Sequence, residues 1–454
     1  MRAIFGTDGM RGVANSELSP ELAFAVGRAG AVVFARTSDR HQPVIVGRDT
    51  RISGTMLEAA VVAGITSAGR DVICIGIVPT PAVALITERT GAAAGCMISA
   101  SHNPIGDNGI KFFGADGFKL SDDLEYDIES LVDSTELPRP TGTGVGVARV
   151  AQNLGALYYE ALYADAADLA GLTIVVDAAY GAAYTFAPYA LRKLGAKVHE
   201  LHCEPDGARI NVGCGATDLG PLASRVRDLA ARGAKRVLGI AFDGDGDRAL
   251  FVDETGDALT GDHTLFVLGR AMQKKRELAH NTIVATVMSN VGLQRALEPY
   301  GITLVRTRVG DRYVLERMRA DGYVLGGEQS GHIIDLGRNT TGDGPMTAVT
   351  VCSTVVTSGA TLRELAREMR NYPQILLNVR TADKTVVADP AIAALISKTE
   401  RQLGESGRVL VRASGTEPLI RVMIEGADQS VIEGLARHLA DAIERKAVKH
   451  GSAR

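Results

Sequence analysis

A chain of 454 residues is too long for one ordinary hydrophobic core and predicts three or four domains. Apolar residues make up 46% and charged residues 22%, with no tract both polar and charge-heavy, which excludes long disordered regions. The 49 basic and 53 acidic residues leave a formal charge of −4, no global field for nucleic acid or an anionic membrane, so an anionic ligand must be held locally. Five cysteines, odd in number, far apart and without a CxxC pair, suggest neither a disulfide framework nor a zinc site. The opening MRAIFGTDGMRG soon turns polar, and no apolar run approaches the roughly 18 residues of a membrane span. These features predict a cytoplasmic protein with no export signal and no membrane anchor.

Short β-branched runs alternate with Ala/Leu/Glu-rich segments of helical period, which predicts an α/β protein with buried, largely parallel strands. The pattern recurs as VIVGRDT, helix, AGRDVICIG; then TIVVDAAYG, helix, LGAKVHELH; then TIVATVMSN, helix, YGITLVRTR. Three similar mixed α/β domains are expected, although any α/β chain produces echoes of this kind. The stretch LPRPTGTGVG at 137–146 and the segment Asn371 to Pro373 read as linkers. Beyond Pro373, the strand-like runs ILLNVRT and VLVRASGTEPLIRVMIEG with amphipathic helices predict a smaller C-terminal α+β domain. The expected boundaries are 1–153, 154–254, 255–370 and 371–454.

Four segments could carry chemistry. In GCMISASHNPIGDNGIKFFGADGFKL, an apolar strand delivers Ser101, His102 and Asn103 onto a polar loop, where α/β proteins place ligands. The surroundings are not G-x-S-x-G, against a serine hydrolase, and a lone serine there also serves as a turn cap. In LGIAFDGDGDRALFVDE, Asp243, Asp245 and Asp247 alternate with glycines. Three carboxylates on one tight loop repel unless a cation sits among them, and such hard oxygen ligands suit Mg²⁺. An EF-hand is the rival, but its sixth position is Arg248 and its flanks read as strands. A solvated acidic turn is the remaining reading.

In GYVLGGEQSGHIID, Glu328, Ser330 and His332 could hydrogen-bond the hydroxyls of a sugar, although a lone histidine in such a run is often structural. In RVLVRASGTEPLIRVMIEG, Arg412, Ser414, Gly415 and Thr416 form either a phosphate clamp or an ordinary hairpin loop.

In this order and spacing the segments resemble the α-D-phosphohexomutase family over essentially the whole chain, with GTDGMRG, SASHNP, DGDGDR, GEQSGH and RASGTEP matching its signatures. The details resemble its amino-sugar branch: FGTDG, VGRDTRISG at 46–54, PTPAVA at 79–84, DNGIKFF at 107–113, VGDRYV at 309–314, and Gln329 in GEQSGH where phosphomannomutases have GEMSGH. One departure is Met10 for the usual isoleucine, which conserves apolar volume.

The resemblance implies four domains around a central cleft and a phosphate carried on Ser101. It implies one Mg²⁺ per subunit, held by Asp243, Asp245, Asp247 and an oxygen of phospho-Ser101, and activation by glucosamine or glucose 1,6-bisphosphate. Three carboxylates and a phosphoserine carry about −5, which Mg²⁺, Arg248, Arg11 and Lys111 would offset. The implied roles are proton transfer for Lys111 and His332, orientation of the phosphate for Arg11, and support of the loop for His102. Glu328, Ser330 and Arg248 would meet the sugar phosphate, and Arg412, Ser414, Gly415, Thr416 and Arg421 its distal phosphate.

The implied activity interconverts glucosamine 6-phosphate and glucosamine 1-phosphate through a 1,6-bisphosphate, in the synthesis of UDP-N-acetylglucosamine and, in bacteria, of cell-wall precursors. Sister activities on mannose or glucose phosphates are the runner-up. A sugar-phosphate-binding regulator would show erosion of Ser101, the aspartate triplet or Lys111, all of which are present, and a Mg²⁺-dependent phosphatase would release inorganic phosphate. The expected partner is a small sugar phosphate, with no nucleic acid and no membrane; a homodimer is left open.

Overall fold

The computed structural model describes residues 5–6, 8–39, 41–381, 383–404, 407–414 and 418–451. The chain divides into two units, Met1–Met288 with Ile302–Arg367, and Ser289–Gly301 with Glu368–Arg454.

Among the described residues the first unit holds three sheets. The first contains β1 (Met10–Val13), β2 (Val44–Arg48), β3 (Val72–Ile77), β4 (Ala94–Ile98), β5 (Asp107–Gly114) and β6 (Ala148–Val150), in the order β1-β5-β4-β2-β3-β6. The second contains β7 (Thr173–Asp177), β8 (Lys197–Leu201), β9 (Val237–Phe242), β10 (Ala249–Val252) and β11 (Ala258–Leu259), in the order β11-β10-β9-β7-β8. The third orders β12 (Thr282–Thr286), β13 (Thr303–Thr307), β14 (Leu325–Gly327) and β15 (Ile333–Asp335) as β13-β12-β14-β15.

One four-stranded core repeats in all three: β3-β2-β4-β5, β8-β7-β9-β10 and β13-β12-β14-β15. In each, the first three strands are parallel and the fourth antiparallel. The recurrence read from the sequence is therefore a repeat of topology. The inner strands β4, β7 and β9 are buried at every residue, as apolar runs covered on both faces must be.

In all three cores the turn from the third strand to the fourth carries polar residues. These turns hold Ser101, the aspartate triplet, and Glu328 to His332.

Helices Pro20–Phe34 and Gly54–Ser67 cover part of the first sheet. The first starts where the Ser19 hydroxyl accepts from Leu22 N–H at 3.3 Å and Pro20 presets φ. The two helices approach backbone to backbone: a Cβ on Gly64 would lie 2.1 Å from the Phe24 carbonyl oxygen, and one on Gly27 2.5 Å from that of Val61. Backbone atoms cannot swing aside as a side chain would, so Gly64→Ala should cost about 3 kcal/mol, at the upper end of ordinary overpacking. The measurement is the thermal unfolding midpoint, and an unchanged midpoint would mean the helices part freely.

In the second unit β16 (Gln374–Arg380), β17 (Arg408–Ala413) and β18 (Leu419–Glu425) form an antiparallel sheet in the order β16-β18-β17. Its core includes Val386, Ile392, Ile420, Val422 and Ile424 packed with Ile432, Leu439 and Ile443 of the last helix. The segment 289–301 belongs to this unit because the buried Glu425 carboxylate accepts from Val291 N–H at 3.2 Å, Asn290 Nδ2 at 3.3 Å and Arg408 Nε at 3.0 Å. All five cysteines are free thiols. No helix among the described residues is long and apolar enough to cross a membrane.

Candidate active site

Strand β4 ends at Ile98, and the chain turns through Ser101 in a left-handed conformation (φ 51°) with that serine buried. An L-residue pays for this conformation, so the surroundings must enforce it. Ser101 N–H donates to Ser99 Oγ at 2.9 Å, and Ser99 Oγ donates to Asp49 Oδ2 at 2.6 Å. The Ser101 carbonyl accepts from Arg51 Nη2 and from Asn211 Nδ2, each at 2.9 Å.

Arg51, fully buried beside Asp49, also donates to the carbonyls of Asn103 (2.8 Å), Pro104 (2.6 Å) and Asp107 (2.9 Å). One guanidinium thus fastens the whole serine loop. Burial, the largest influence on Asp49, lifts its pKa to about 6 against the opposing pull of Arg51 and Ser99.

The aspartate turn closes over this loop. Gly244 stands where a Cβ would meet the Ser101 carbonyl oxygen at 2.7 Å, so only glycine permits the approach. Ser101 Oγ donates to Asp243 Oδ2 at 2.6 Å. Asp243, Asp245 and Asp247 are buried, and each offers a carboxylate oxygen within 4.8 Å of the other two. Asp245 Oδ2 accepts from Lys111 Nζ at 3.1 Å and Thr80 Oγ1 at 2.5 Å, whereas Asp245 Oδ1 and Asp247 Oδ1 are buried with no hydrogen-bond partner among the described residues. Buried carboxylate oxygens left without a donor are expensive, and converging hard oxygens fit a divalent cation such as Mg²⁺. The flanking elements are the strands β9 and β10, so the EF-hand reading does not apply.

If the triplet holds Mg²⁺, replacing Asp245 by Asn, which removes one charge from the three carboxylates, should weaken its binding by about tenfold or more. Titrating activity against Mg²⁺ checks it, and wild-type affinity would remove Asp245 from the ligand set.

Alternating charges surround the triplet. Burial and the two other carboxylates push Asp243 well above the usual range. Burial opposes ionisation of Asp247 too, but His332, Lys111 and Arg248 outweigh it and hold its pKa down. Burial likewise disfavours the charged forms of Lys111 and His332. Asp245, Asp8 and Asp247 overcome it at Lys111, and Asp247 and Asp311 at His332, so both pKa values rise. His332 Nδ1 lies 3.5 Å from Asp247 Oδ2, and its Nε2 lies 3.6 Å from Asp311 Oδ2.

Lys119 Nζ bridges Asp311 and Asp8, meeting Asp8 Oδ1 at 2.5 Å, and Arg11 pairs with Asp8 in turn. Arg11 Nη1 also donates to Asn103 Oδ1 at 3.2 Å. Arg248 Nε stands 4.0 Å from Asp243 and 3.8 Å from Asp247. His102 Nδ1 lies 3.5 Å from Ser101 Oγ; lost hydration and the charges of Arg248 and Arg11 push its pKa down to about 4.

The turn after β14 pairs with the aspartate turn through an antiparallel bridge between Arg248 and His332, with Ala249 N–H donating to the Gly331 carbonyl at 3.0 Å. Gly331 has φ 92°, and a Cβ there would lie 2.6 Å from the Ala249 carbonyl oxygen. Glu328 Oε1 accepts from Gly310 N–H at 3.2 Å, and Ser330 Oγ is buried with no partner among the described residues. A cavity of about 430 Å³ is lined by Asp8, Arg11, His102, Asp247, Arg248, Asp311, Glu328 and His332. That volume suits a hexose phosphate.

In the second unit, Arg412 on β17 and Arg421 on β18 are directly opposite partners. Like charges in that position repel, and burial together with Arg421 lowers the pKa of Arg412. Ser414 is buried, and its carbonyl accepts from Lys384 Nζ at 2.6 Å. The arrangement concentrates cationic groups on the paired strands β17 and β18 and beside Ser414. Gly415 and Thr416 lie outside the described residues.

The first unit thus gathers Ser101, His102, Arg11, Lys111, the aspartate triplet, Arg248, Glu328, Ser330 and His332. Sequence reasoning missed Asp8, Asp49, Arg51, Thr80, Asn211 and Asp311, although the GTDG, VGRDTRISG, PTPAVA and VGDRYV motifs contain all of these except Asn211. A second convergence is Asp177, His202 and Cys214: both Asp177 oxygens are engaged, by Ala179 N–H and by His202 Nδ1, and burial pushes the nearby Cys214 thiol up to about 12.

Four family profiles cover nearly the whole chain. They are phosphoglucomutase/phosphomannomutase alpha/beta/alpha domain I at residues 2–139, domain II at 156–256, domain III at 260–372, and the C-terminal domain at 376–442. The chain belongs to the phosphoglucomutase/phosphomannomutase family of isomerases. It is 50% identical over 452 residues to the phosphoglucosamine mutase of Thermoanaerobacter sp. (strain X514), covering 98% of this chain and 100% of that one. To the phosphoglucosamine mutase of Staphylococcus epidermidis (strain RP62A) it is 49% identical, covering 98% and 99%. The phosphoglucosamine mutases are thus its branch of the family. A phosphoglucomutase/phosphomannomutase family protein of Burkholderia thailandensis shares the fold, with a TM-score of 0.81 at 24% identity over 98% of this chain and 99% of that one.

Proposed function

We propose that the chain interconverts glucosamine 6-phosphate and glucosamine 1-phosphate, with Ser101 as the residue that carries the transferred phosphate. The observation that carries this reading is Ser101 Oγ, 2.6 Å from Asp243 in a triplet of buried carboxylates beside a cavity of hexose size. The full-length likeness to phosphoglucosamine mutases selects the amino sugar.

Asp243, Asp245 and Asp247, with an oxygen of phospho-Ser101, would hold Mg²⁺, which when bound supplies Lewis-acid polarisation of the phosphoryl group. The free hydroxyl of the sugar phosphate attacks the phosphorus, the bond from phosphorus to Ser101 Oγ breaks, and Oγ leaves with a proton. The 1,6-bisphosphate turns over, the hydroxyl oxygen of Ser101 attacks its other phosphate, and that sugar oxygen leaves protonated. Lys111 and His332, both held toward their protonated forms by carboxylates, would give a proton to each leaving oxygen and recover one from each attacking hydroxyl, so that every transfer ends with no net change in protons. Arg11 and Arg248 face the transferring phosphate, and His102, neutral near pH 7, braces the loop.

Glu328 and Ser330 read ring hydroxyls in both poses. Arg412, Ser414, Gly415, Thr416 and Arg421 form the clamp for the phosphate that is not reacting. Glucosamine or glucose 1,6-bisphosphate is the proposed activator, 1–153, 154–254, 255–370 and 371–454 the proposed domains, and the cytoplasm the proposed compartment.

The test compares kcat/KM for glucosamine, mannose and glucose 6-phosphates with phosphorylated protein and Mg²⁺. The glucosamine value should be highest. A higher value for mannose 6-phosphate would move the assignment to the sister activity, and net release of inorganic phosphate would make the protein a phosphatase.

A further inference from the structure

Lys119 is nearly buried, its side chain 9% exposed, and it stands behind the wall of the site cavity. Asp8 and Asp311 line that cavity and Lys119 does not; it faces a separate pocket with Arg312 and Arg319. Its ammonium nevertheless joins two sheets, bonding Asp8 on one side and Asp311 on the other. Asp311 is the first residue of helix Asp311–Asp321 and follows Gly310, whose N–H holds Glu328 Oε1 at 3.2 Å. Asp311 Oδ2 is also the carboxylate oxygen facing His332 Nε2 at 3.6 Å. A shift of Asp311 therefore moves Glu328 and His332, two of the functional side chains of the turn after β14.

We propose that the Lys119–Asp311 ion pair is a positioning device for phosphoryl transfer, tying the sugar-reading turn to the serine sheet so that His332 and Glu328 meet the substrate in register. This rests on the mutase reading above. Neither residue needs to touch the reacting atoms: the pair fixes where Gly310 and His332 stand. Two neighbouring ties leave the sheets docked without it. Thr340 Oγ1 donates to the Gly117 carbonyl at 2.6 Å, and Arg312 Nη2 donates to Glu125 Oε2 at 2.7 Å. Loss of the pair should thus loosen the geometry without separating the sheets.

The experiment is a double-mutant cycle of Lys119→Met and Asp311→Asn, reading kcat, KM, the phosphate content of Ser101 and the thermal midpoint. Each single variant should lose kcat on the order of 100-fold, the scale of a small misplacement, with a smaller rise in KM and a phosphorylated Ser101. The double variant removes both charges, so its midpoint should recover toward wild type while kcat falls no further than in the worse single variant. A double variant that regains kcat to within about threefold of wild type would make the pair a stability element only. Losses that multiply would make the two residues independent, and an unchanged kcat in Lys119→Met would overturn the proposal outright. If the wild type prefers glucose or mannose phosphates, the function above is revised, and the same cycle on that substrate still decides the role of Lys119.

Discussion

Ser101→Ala should lose the covalent phosphate and roughly 10⁴-fold or more of turnover, the scale seen when a nucleophile is deleted. The substitution is unusually clean because what holds residue 101 in place is backbone: its N–H to Ser99, and its carbonyl to Arg51 and Asn211. Alanine pays about what serine pays for the left-handed φ of 51°, so the turn should persist. The change removes one oxygen and its bond to Asp243. Intact mass is the direct measurement, since one phosphoryl group adds roughly 80 Da. A variant that keeps the adduct would place the nucleophile elsewhere, and full turnover without it would end the phosphoserine mechanism.

Arg51→Met should be the most damaging single change outside the reacting groups. It keeps a long apolar side chain while stripping donors from four carbonyls and the Asp49 carboxylate, all close to the loop that presents Ser101. Breaking a buried pair by removing one partner costs about 3–5 kcal/mol, and kcat should fall further than the stability loss alone explains.

The defect should also depend on pH. In the native protein the Asp49 pKa is raised to about 6, so this group favours folding below the unfolded carboxylate value and loses that contribution as pH rises through 6. Without Arg51 the ionised carboxylate is worse tolerated. The stability gap between variant and wild type should therefore be widest above pH 6 and narrow as Asp49 takes up a proton. A gap constant from pH 5 to 8 would show that Asp49 does not depend on Arg51; thermal midpoints across that range decide it.

The members of the candidate site were legible because their loops announce themselves locally: Ser101 beside Asn103 and Pro104, aspartates alternating with glycines, and Glu328 four residues before His332. The three echoing strand runs also announced the repeated sheets. The framework that aims these groups was much harder to read. Arg51 sits in a visible motif, but its acceptors are mostly backbone carbonyls, which leave no mark in a sequence. Lys119, Asp8 and Asp311 come from three separate stretches, and only the packing of two sheets makes them neighbours. The tie of 289–301 to the C-terminal unit depends on Asn290 and Glu425, 135 residues apart, a separation at which no periodicity speaks.

The shared position of the three working turns has a practical consequence. Each springs from a buried central strand and returns along its antiparallel neighbour, so its two roots stand one strand spacing apart, about 4.8 Å. With footings that close and that rigid, a turn can change length and residue content while the ground beneath it stays still. The first unit therefore acts as a fixture with three sockets of one topology, which the function proposed above would fit with a phosphate carrier, a cation holder and a sugar gauge. A change of sugar should need a new insert in the third socket alone.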